Sequence, residues 1–397
     1  MLYQQIGIDR LKNKRKPVDN CLHIKKQVLP EQKSMNILFM NSARTWGGTE
    51  KWTRMASEAM AKDHKTFLVY RRDIVGERFT IPKFRLPCLS HIDLYTLFKL
   101  VKIIRKEKIE VIIPTKRKDY MIAGLASRIC GIQNILRLGI VRPLRIPVIH
   151  QLIYHTLASG IIVNAQKIKQ TLLETSFMQE EKIRVIYNGL DTEALDRLSL
   201  PPAQKMFKFQ ITTAGVLTKR KGHDFLLRSF AQFLKLAPDA DAGIIIIGDG
   251  PKKEELIALT DELKISERVH FTGFLKNPYP NMAISDIIAM TSTNEGISNA
   301  LLEGMYLKNV PVSTFAGGTE ELIDNGKNGF LVDYCNEATL AAILHELYRN
   351  DQQRKQISRA ARETVIQNFS MHSMTKEVVH FCSETIEYRK NKSDSKA

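Results

Sequence analysis

The feature that most limits the fold is an alternation, run through twice, of short apolar segments with longer amphipathic ones. Met35–Met40 is apolar and leads into Asn41-Ser-Ala-Arg-Thr-Trp-Gly-Gly-Thr-Glu50, after which a helical pattern runs from Lys51 to about Ala61. Strand, Gly-Gly turn and helix together open a doubly wound α/β domain. The spacing predicts further strands at Thr66–Tyr70, Val111–Pro114, Asn134–Gly139, Gly160–Asn164 and Arg184–Tyr187. Helices are expected at Tyr95–Lys108, Asp119–Cys130 and around 147–157. Residues 192–207, with Pro201 and Pro202, read as a linker.

A second series then begins with strand Phe209–Ala214, helix Asp224–Leu236 and strand 242–248. Helix Lys252–Leu263 and strands Val269–Thr272 and Ile287–Thr291 follow. Helix Ala300–Leu307 and strands Val310–Ser313 and Gly329–Val332 come next, then helices at Thr339–Tyr348, Gln353–Gln367 and Ser373 to about Tyr388. A wholly apolar strand such as Ile244–Ile247 needs helices on both faces of its sheet, so the sheets should be parallel. The expected division is a basic tail over 1–34, an N-terminal Rossmann-like domain over 35–197 and a C-terminal one over 198–370. Residues 371–397 are expected to form a last helix and a polar tail from Lys390. Ligands of such sheets bind outside the carboxyl ends of the strands, which puts a site in the cleft between two facing domains.

Charge divides the chain. The net charge is +17, yet residues 1–200 hold 35 Lys+Arg against 18 Asp+Glu, and residues 201–397 hold 24 of each. A basic half suggests an anionic partner: a nucleic acid, a membrane surface or a phosphorylated substrate. Five widely spaced cysteines without a CxxC argue against a zinc site or a disulfide framework and for a reducing compartment. Charges from Asp9 to Lys16 argue against a signal peptide. The longest charge-free run, Ile146 to Gln166, is interrupted by His150, Gln151, His155 and Asn164, so no transmembrane helix is expected.

Four loops carry the candidate chemistry, each after a predicted strand. In Glu295-Gly-Ile-Ser-Asn-Ala-Leu-Leu-Glu303, Glu295 lies on the loop and Ser298, Asn299 and Ala300 lie at a helix start. Free N–H groups there suit a phosphate, and Glu303, one turn inside, can accept bonds from paired hydroxyls. Surface glutamates on an ordinary helix would give the same spacing. In Gly215-Val-Leu-Thr-Lys-Arg-Lys-Gly222, Arg220 and Lys221 offer positive charge to a departing diphosphate. Gly47 and Gly48 permit close backbone approach to a ligand, although an ordinary tight turn has the same signature. Phe315-Ala-Gly-Gly-Thr-Glu-Glu321 is the fourth.

In this order the loops resemble retaining glycosyltransferases of family 4, which have the two-domain GT-B fold. The resemblance covers residues 35–388 and is strongest from Gly215 to Val332. Glu295 to Glu303 matches the family's E-x7-E motif, followed by Gly317-Gly318-Thr319-Glu320 and Gly326-Lys-Asn-Gly329-Phe-Leu-Val332. Asn188-Gly-Leu-Asp191 looks like the family's turn before the linker, and Phe369-Ser370 with Met374 like the start of its final helix, which crosses back to the N-terminal domain. The resemblance implies that Glu295 holds sugar hydroxyls near the reacting carbon and Glu303 holds the ribose. It implies that Ser298, Asn299 and Ala300 contact the diphosphate through backbone groups and that Arg220 and Lys221 neutralise it. Gly47 and Gly48 would approach phosphate and acceptor. Two departures stand out: Val216 occupies a position where many members have Arg, and no histidine, His150 included, is assigned beside the sugar.

The implied reaction moves a sugar, a hexose by expectation, from a nucleotide-diphosphate sugar to a hydroxyl with retained configuration and without a metal or other cofactor. The acceptor is expected on the basic half, near Arg117, Lys118, Arg137, Arg142 and Arg145. It would be a phosphorylated or lipid-linked glycan, as in lipopolysaccharide or cell-surface polysaccharide synthesis. The helix Tyr95–Lys108 offers basic and apolar faces to an anionic membrane, so the expected location is the cytoplasm or the cytoplasmic membrane face. A non-catalytic nucleic-acid-binding protein is the competing class, but no zinc-finger, RRM or helix-turn-helix pattern supports it. An inactive sugar-nucleotide-binding relative is another, opposed by the intact Glu295, Glu303, Arg220 and Lys221.

Overall fold

A computed structural model describes residues 34–140, 146–198 and 204–394. The first sheet contains seven parallel strands, β1 (Asn36–Asn41), β2 (Lys65–Tyr70), β3 (Lys83–Arg85), β4 (Val111–Pro114), β5 (Gln133–Leu138), β6 (Gly160–Val163) and β7 (Ile183–Val185). Their spatial order is β3-β2-β1-β4-β5-β6-β7. Helices α1 (Gly48–Met60), α2 (Asp73–Gly76), α3 (Leu94–Lys106), α4 (Arg117–Cys130), α5 (Pro147–His150), α6 (Gln166–Leu173) and α7 (Thr192–Asp196) connect or follow them. The chain continues from α5 as a π-helix over Gln151–Leu157.

The second sheet has six parallel strands, β8 (Phe209–Ala214), β9 (Ala242–Ile247), β10 (Val269–Gly273), β11 (Ile287–Met290), β12 (Val310–Thr314) and β13 (Phe330–Val332), ordered β10-β9-β8-β11-β12-β13. Its helices are α8 (His223–Leu236), α9 (Lys253–Glu262), α10 (Tyr279–Ala283), α11 (Asn299–Tyr306), α12 (Glu337–Arg349) and α13 (Asp351–Asn368). The last helix, α14 (Met371–Asp394), packs Met371, Met374, Val378 and Phe381 into the core of the first sheet. This is the pair of doubly wound domains with a returning C-terminal helix expected of the GT-B fold. Strand order reverses beside β1 in one sheet and β8 in the other, which places a ligand crevice at the ends of those strands.

Burial follows the apolar pattern. Ile244 to Ile247 are all buried, with Ile244 and Ile246 facing one helical layer and Ile245 and Ile247 the other. Three details differ from the sequence reading. Helix α14 extends through Asp394, so residues from Lys390 onward do not begin as a polar tail. Short elements α2, β3, α7 and α10 fall in stretches read as loop, as does the longer α6. Helix α1 starts at Gly48, with Gly47 as its N-cap. The basic tail from Met1 and the Pro201-Pro202 linker lie outside the described residues. Cys88, Cys130, Cys335 and Cys382 are free thiols.

Candidate functional site: a cationic cluster at the head of α11

The 3-10 turn Lys219–Lys221 follows β8, and the loop 291–298 follows β11, its neighbour in the sheet. Backbone bonds stitch the two together: Thr293 N–H donates to the Arg220 carbonyl at 2.9 Å, and the Thr291 hydroxyl donates to the Gly222 carbonyl at 2.8 Å. Gly222 ends the turn at φ +60, and a Cβ there would stand 2.1 Å from the Thr291 carbonyl oxygen. The left-handed turn and the close approach both require glycine.

This lacing brings Arg220, Lys221 and Glu295 together. The Arg220 guanidinium lies 2.9 Å from Glu295 Oε1, and Lys221 Nζ bonds the same oxygen. Arg220 also donates to the Asn294 carbonyl at 2.6 Å. Glu295 is fixed by its backbone, since its N–H donates to the Ala316 carbonyl and its carbonyl accepts from Gly318 N–H. The fourth loop therefore supports the first. Helix α11 begins just beyond, with Ser298 as N-cap and Asn299 and Ala300 in its first turn, where N–H groups have no partner inside the helix.

Glu303 is buried one turn into α11. It pairs with Lys51 of α1, whose Nζ lies 2.5 Å from Glu303 Oε1 and 3.0 Å from the Tyr279 hydroxyl. Burial opposes the Lys51 charge, but the Glu303 carboxylate outweighs it and holds the ammonium pKa above its usual value. Lys51 and Tyr279 are residues the sequence reading missed. The only signal was Lys51 standing three positions after Gly48.

Further bonds join the loop before α11 to the first domain. Asn188 Nδ2 donates to the Ile297 carbonyl at 2.7 Å, and Asn164 Nδ2 to the same oxygen at 3.1 Å. Asn299 Nδ2 reaches the Gly48 carbonyl at 3.3 Å. The Glu321 carboxylate accepts from Gln166 N–H, Lys167 N–H and the Tyr187 hydroxyl. Gly48 thus faces the head of α11, and a Cβ on it would meet no protein atom within 4 Å. Open space at a backbone so close to Asn299 is what a ligand between the domains requires.

The acceptor-side residues divide. Arg117 is exposed at the start of α4, 3.3 Å from His150 Nε2, and Lys118 is half-buried beside it. Arg137 is not at the surface. It is 3% exposed, donates to Asn188 Oδ1 at 2.8 Å and lies 4.4 Å over the Trp52 ring. Its guanidinium orients the asparagine that grips Ile297, so it positions the domain contact rather than meeting an acceptor. Burial is also why its pKa falls to about 10. Arg142 and Arg145 lie outside the described residues. Burial and Arg117 together keep His150 below the usual imidazole range. Among the described residues no three His, Cys, Asp or Glu side chains gather as a metal site.

Comparison with known proteins matches each domain separately. Residues 46–194 match the model for Glycosyltransferase Family 4, and residues 202–364 match that for Glycosyl transferases group 1. A Campylobacter jejuni N-acetylgalactosamine-N,N'-diacetylbacillosaminyl-diphospho-undecaprenol 4-alpha-N-acetylgalactosaminyltransferase is 32% identical over 50% of this chain and 53% of its own. A lipopolysaccharide core biosynthesis glycosyltransferase of Rhizobium meliloti is 27% identical over 54% of this chain and 61% of its own. The chain spans about half the length of the curated relatives it matches. Among solved structures, a glycosyltransferase from Rickettsia africae aligns with TM-score 0.76 at 22% identity, over 89% of this chain and 99% of that one. An Anabaena protein in complex with UDP aligns with TM-score 0.74 at 22% identity, over 88% and 100%. By both of its halves, then, the chain belongs to the glycosyltransferase families, a family 4 domain followed by a group 1 domain on the GT-B fold.

Proposed function

We propose that the protein transfers a sugar, a hexose, from a nucleotide-diphosphate sugar to a hydroxyl of a glycan or glycolipid with retained anomeric configuration. The meeting of Arg220, Lys221 and Glu295 at the head of α11 carries this reading. When the bond from anomeric carbon to diphosphate oxygen breaks, negative charge grows on the leaving oxygen. Two cations and a helix N-terminus aimed at that charge lower the barrier more than they stabilise the ground state. Losing one such donor costs on the order of 2.7–4 kcal/mol in comparable sites. Glu295 then holds sugar hydroxyls, and Glu303 exchanges Lys51 for the ribose hydroxyls. The acceptor oxygen forms the new bond at the same carbon, and its proton leaves with the departing group or to water.

A lipid-linked or phosphorylated acceptor, as in lipopolysaccharide or surface-polysaccharide synthesis, is supported by the surface beside Arg117. Ile146, Val148 and Ile149 are exposed there, an apolar surface next to a cation. Work at the cytoplasmic face of a membrane follows from such an acceptor.

The test is release of nucleoside diphosphate from UDP-, GDP- and ADP-sugars, with UDP-sugars first because UDP occupies the Anabaena relative. The anomeric proton coupling of the product is then read by NMR. Release with one donor and a product of the donor's configuration supports the reading. No release from any donor, or an inverted product, contradicts it.

A further inference from the structure

We propose that Arg78 and Trp46 of the first domain and Phe274 of the second form a clasp that selects the nucleobase of the donor. Arg78 donates to a ring carbonyl of the base, and the two aromatic rings stack on it. The proposal rests on the reading of a nucleotide-sugar donor and adds what that reading leaves open, the residues that choose its base.

One cation lies within reach of a ring from each domain. The Arg78 guanidinium is 4.6 Å from the centre of the Trp46 ring and 5.3 Å from the centre of the Phe274 ring. Both distances fall inside the ~6 Å range of a cation–π contact. Trp46 stands just before Gly47 in the loop after β1, and Phe274 follows β10. Among the described residues, no carboxylate pairs with Arg78 and its guanidinium donates no hydrogen bond. A guanidinium stacked on a ring keeps its fork of N–H donors free in its own plane.

Local structure fixes the clasp. Arg78 sits on the turn after α2. Lys83 Nζ ties that turn down on either side of it, donating to the Gly76 carbonyl at 2.8 Å and the Phe79 carbonyl at 2.9 Å. Gly76 packs against Tyr70, where a Cβ would stand 2.3 Å from the ring. Val75 and Phe79 are buried beneath the turn. Trp46 is half-buried and meets Phe79 edge to face, with ring centres 6.4 Å apart. Phe274 is 54% exposed, a stacking surface beside the cleft.

Position selects the ligand. In the donor reading, the sugar lies at Glu295, the diphosphate at the head of α11 and the ribose at Glu303, so the base continues past Glu303. Lys51 and Tyr279 stand there, with Lys51 Nζ 2.5 Å from Glu303 Oε1 and 3.0 Å from the Tyr279 hydroxyl. Tyr279 opens α10, at the far end of the loop that starts at Phe274. Lys51 belongs to α1, whose N-cap follows Trp46. The two loops therefore meet where the base is expected, and Arg78 bridges them. An entering base displaces the guanidinium from one ring and takes over the stack, while the fork turns to the base edge. Uracil and guanine offer a carbonyl acceptor to such a fork, where adenine presents an amino group.

The experiment is calorimetric titration of the whole protein with UDP, GDP and ADP, below the unfolding midpoint of every variant. Wild type should bind UDP or GDP more tightly than ADP. R78M should bind that preferred nucleotide at least about fivefold more weakly and lose less on ADP, so the preference narrows. W46A and F274A should weaken all of these nucleotides at least about fivefold and leave the preference as it was. A mere strut between domains would not move the preference. Binding should also change the tryptophan emission, and W46F should abolish that change, because Trp52, the other tryptophan, is buried beneath Arg137. If the affinities behave as stated but no sugar nucleotide turns over, the transfer reading fails and the clasp stands. If wild type turns over a donor and the variants bind as wild type does, the clasp fails and the transfer reading stands. A preference unaltered in R78M, wild-type affinity in both W46A and F274A, tighter binding of ADP, or no binding of any of these nucleotides overturns the proposal.

Discussion

Two residues set the electrostatics of the cleft in ways their sequence neighbours do not reveal. Lys51 and Glu303 form an ion pair between domains, with Glu303 buried and Lys51 mostly so. Removing one partner of such a pair leaves a buried charge uncompensated, which typically costs about 3–5 kcal/mol. Lys51→Met is expected to lower unfolding free energy in urea by at least about 2 kcal/mol, the smaller figure allowing for the partial exposure of Lys51. An unchanged midpoint would mean the pair contributes nothing. His223 opens α8 beside Lys221, and its Nδ1 is buried without a hydrogen-bond partner. Burial first, and Lys221 second, lower its pKa to about 4. A lowered folded-state pKa gives stability that is present above about pH 6.5, where the unfolded chain titrates, and is lost as pH falls toward 4. Between pH 7.5 and 4.5 the wild type should lose about 2–3 kcal/mol more than His223→Gln. Equal losses in urea titrations at the two pH values would contradict this.

At the scale of elements, the site depends on a turn that holds two cations against a helix. Gly222→Ala forces a Cβ into the Thr291 carbonyl and must push Lys219–Lys221 away from the loop 291–295. It should cost about 1–3 kcal/mol of stability and lower turnover more than stability loss explains, because Lys221 and Arg220 move with the turn. Full activity in Gly222→Ala would show that the lacing is irrelevant. The sequence made these elements legible because β9 and β11 are apolar runs that follow a charged residue, and because Glu295 on the loop after β11 and Glu303 in α11 stand eight positions apart. It hid α6 because that helix has only Ile168 and Leu172 buried. It misplaced Arg137 because a cation on a strand shows nothing of the ring and amide that surround it. Lys51 meets Glu303 across 252 positions of chain and Tyr279 across 228, a proximity that periodicity does not encode.

For the molecule as a whole, α14 ties the end of the chain to its beginning. Trp52 Nε1 donates to Met374 Sδ at 3.1 Å, and Val378, Phe381 and Cys382 complete the core around β1. A chain ending at Ser370 should therefore fail to fold its first domain, seen as aggregation or loss of cooperative unfolding, while a soluble truncated chain of native stability would contradict the packing. Charge is shared out in the same way. The neutral second domain carries Arg220 and Lys221 at the proposed donor site, and the excess of cations belongs to the half proposed to meet the acceptor. The central claim is that these two cations bind the diphosphate of a sugar nucleotide. It is tested most directly by titrating UDP-, GDP- and ADP-sugars into wild type and Lys221→Ala by calorimetry. At least one donor should bind wild type and bind the variant at least about tenfold more weakly, a loss of ~1.4 kcal/mol, with the unfolding midpoint unchanged. Equal affinity for that donor in both proteins would contradict the account.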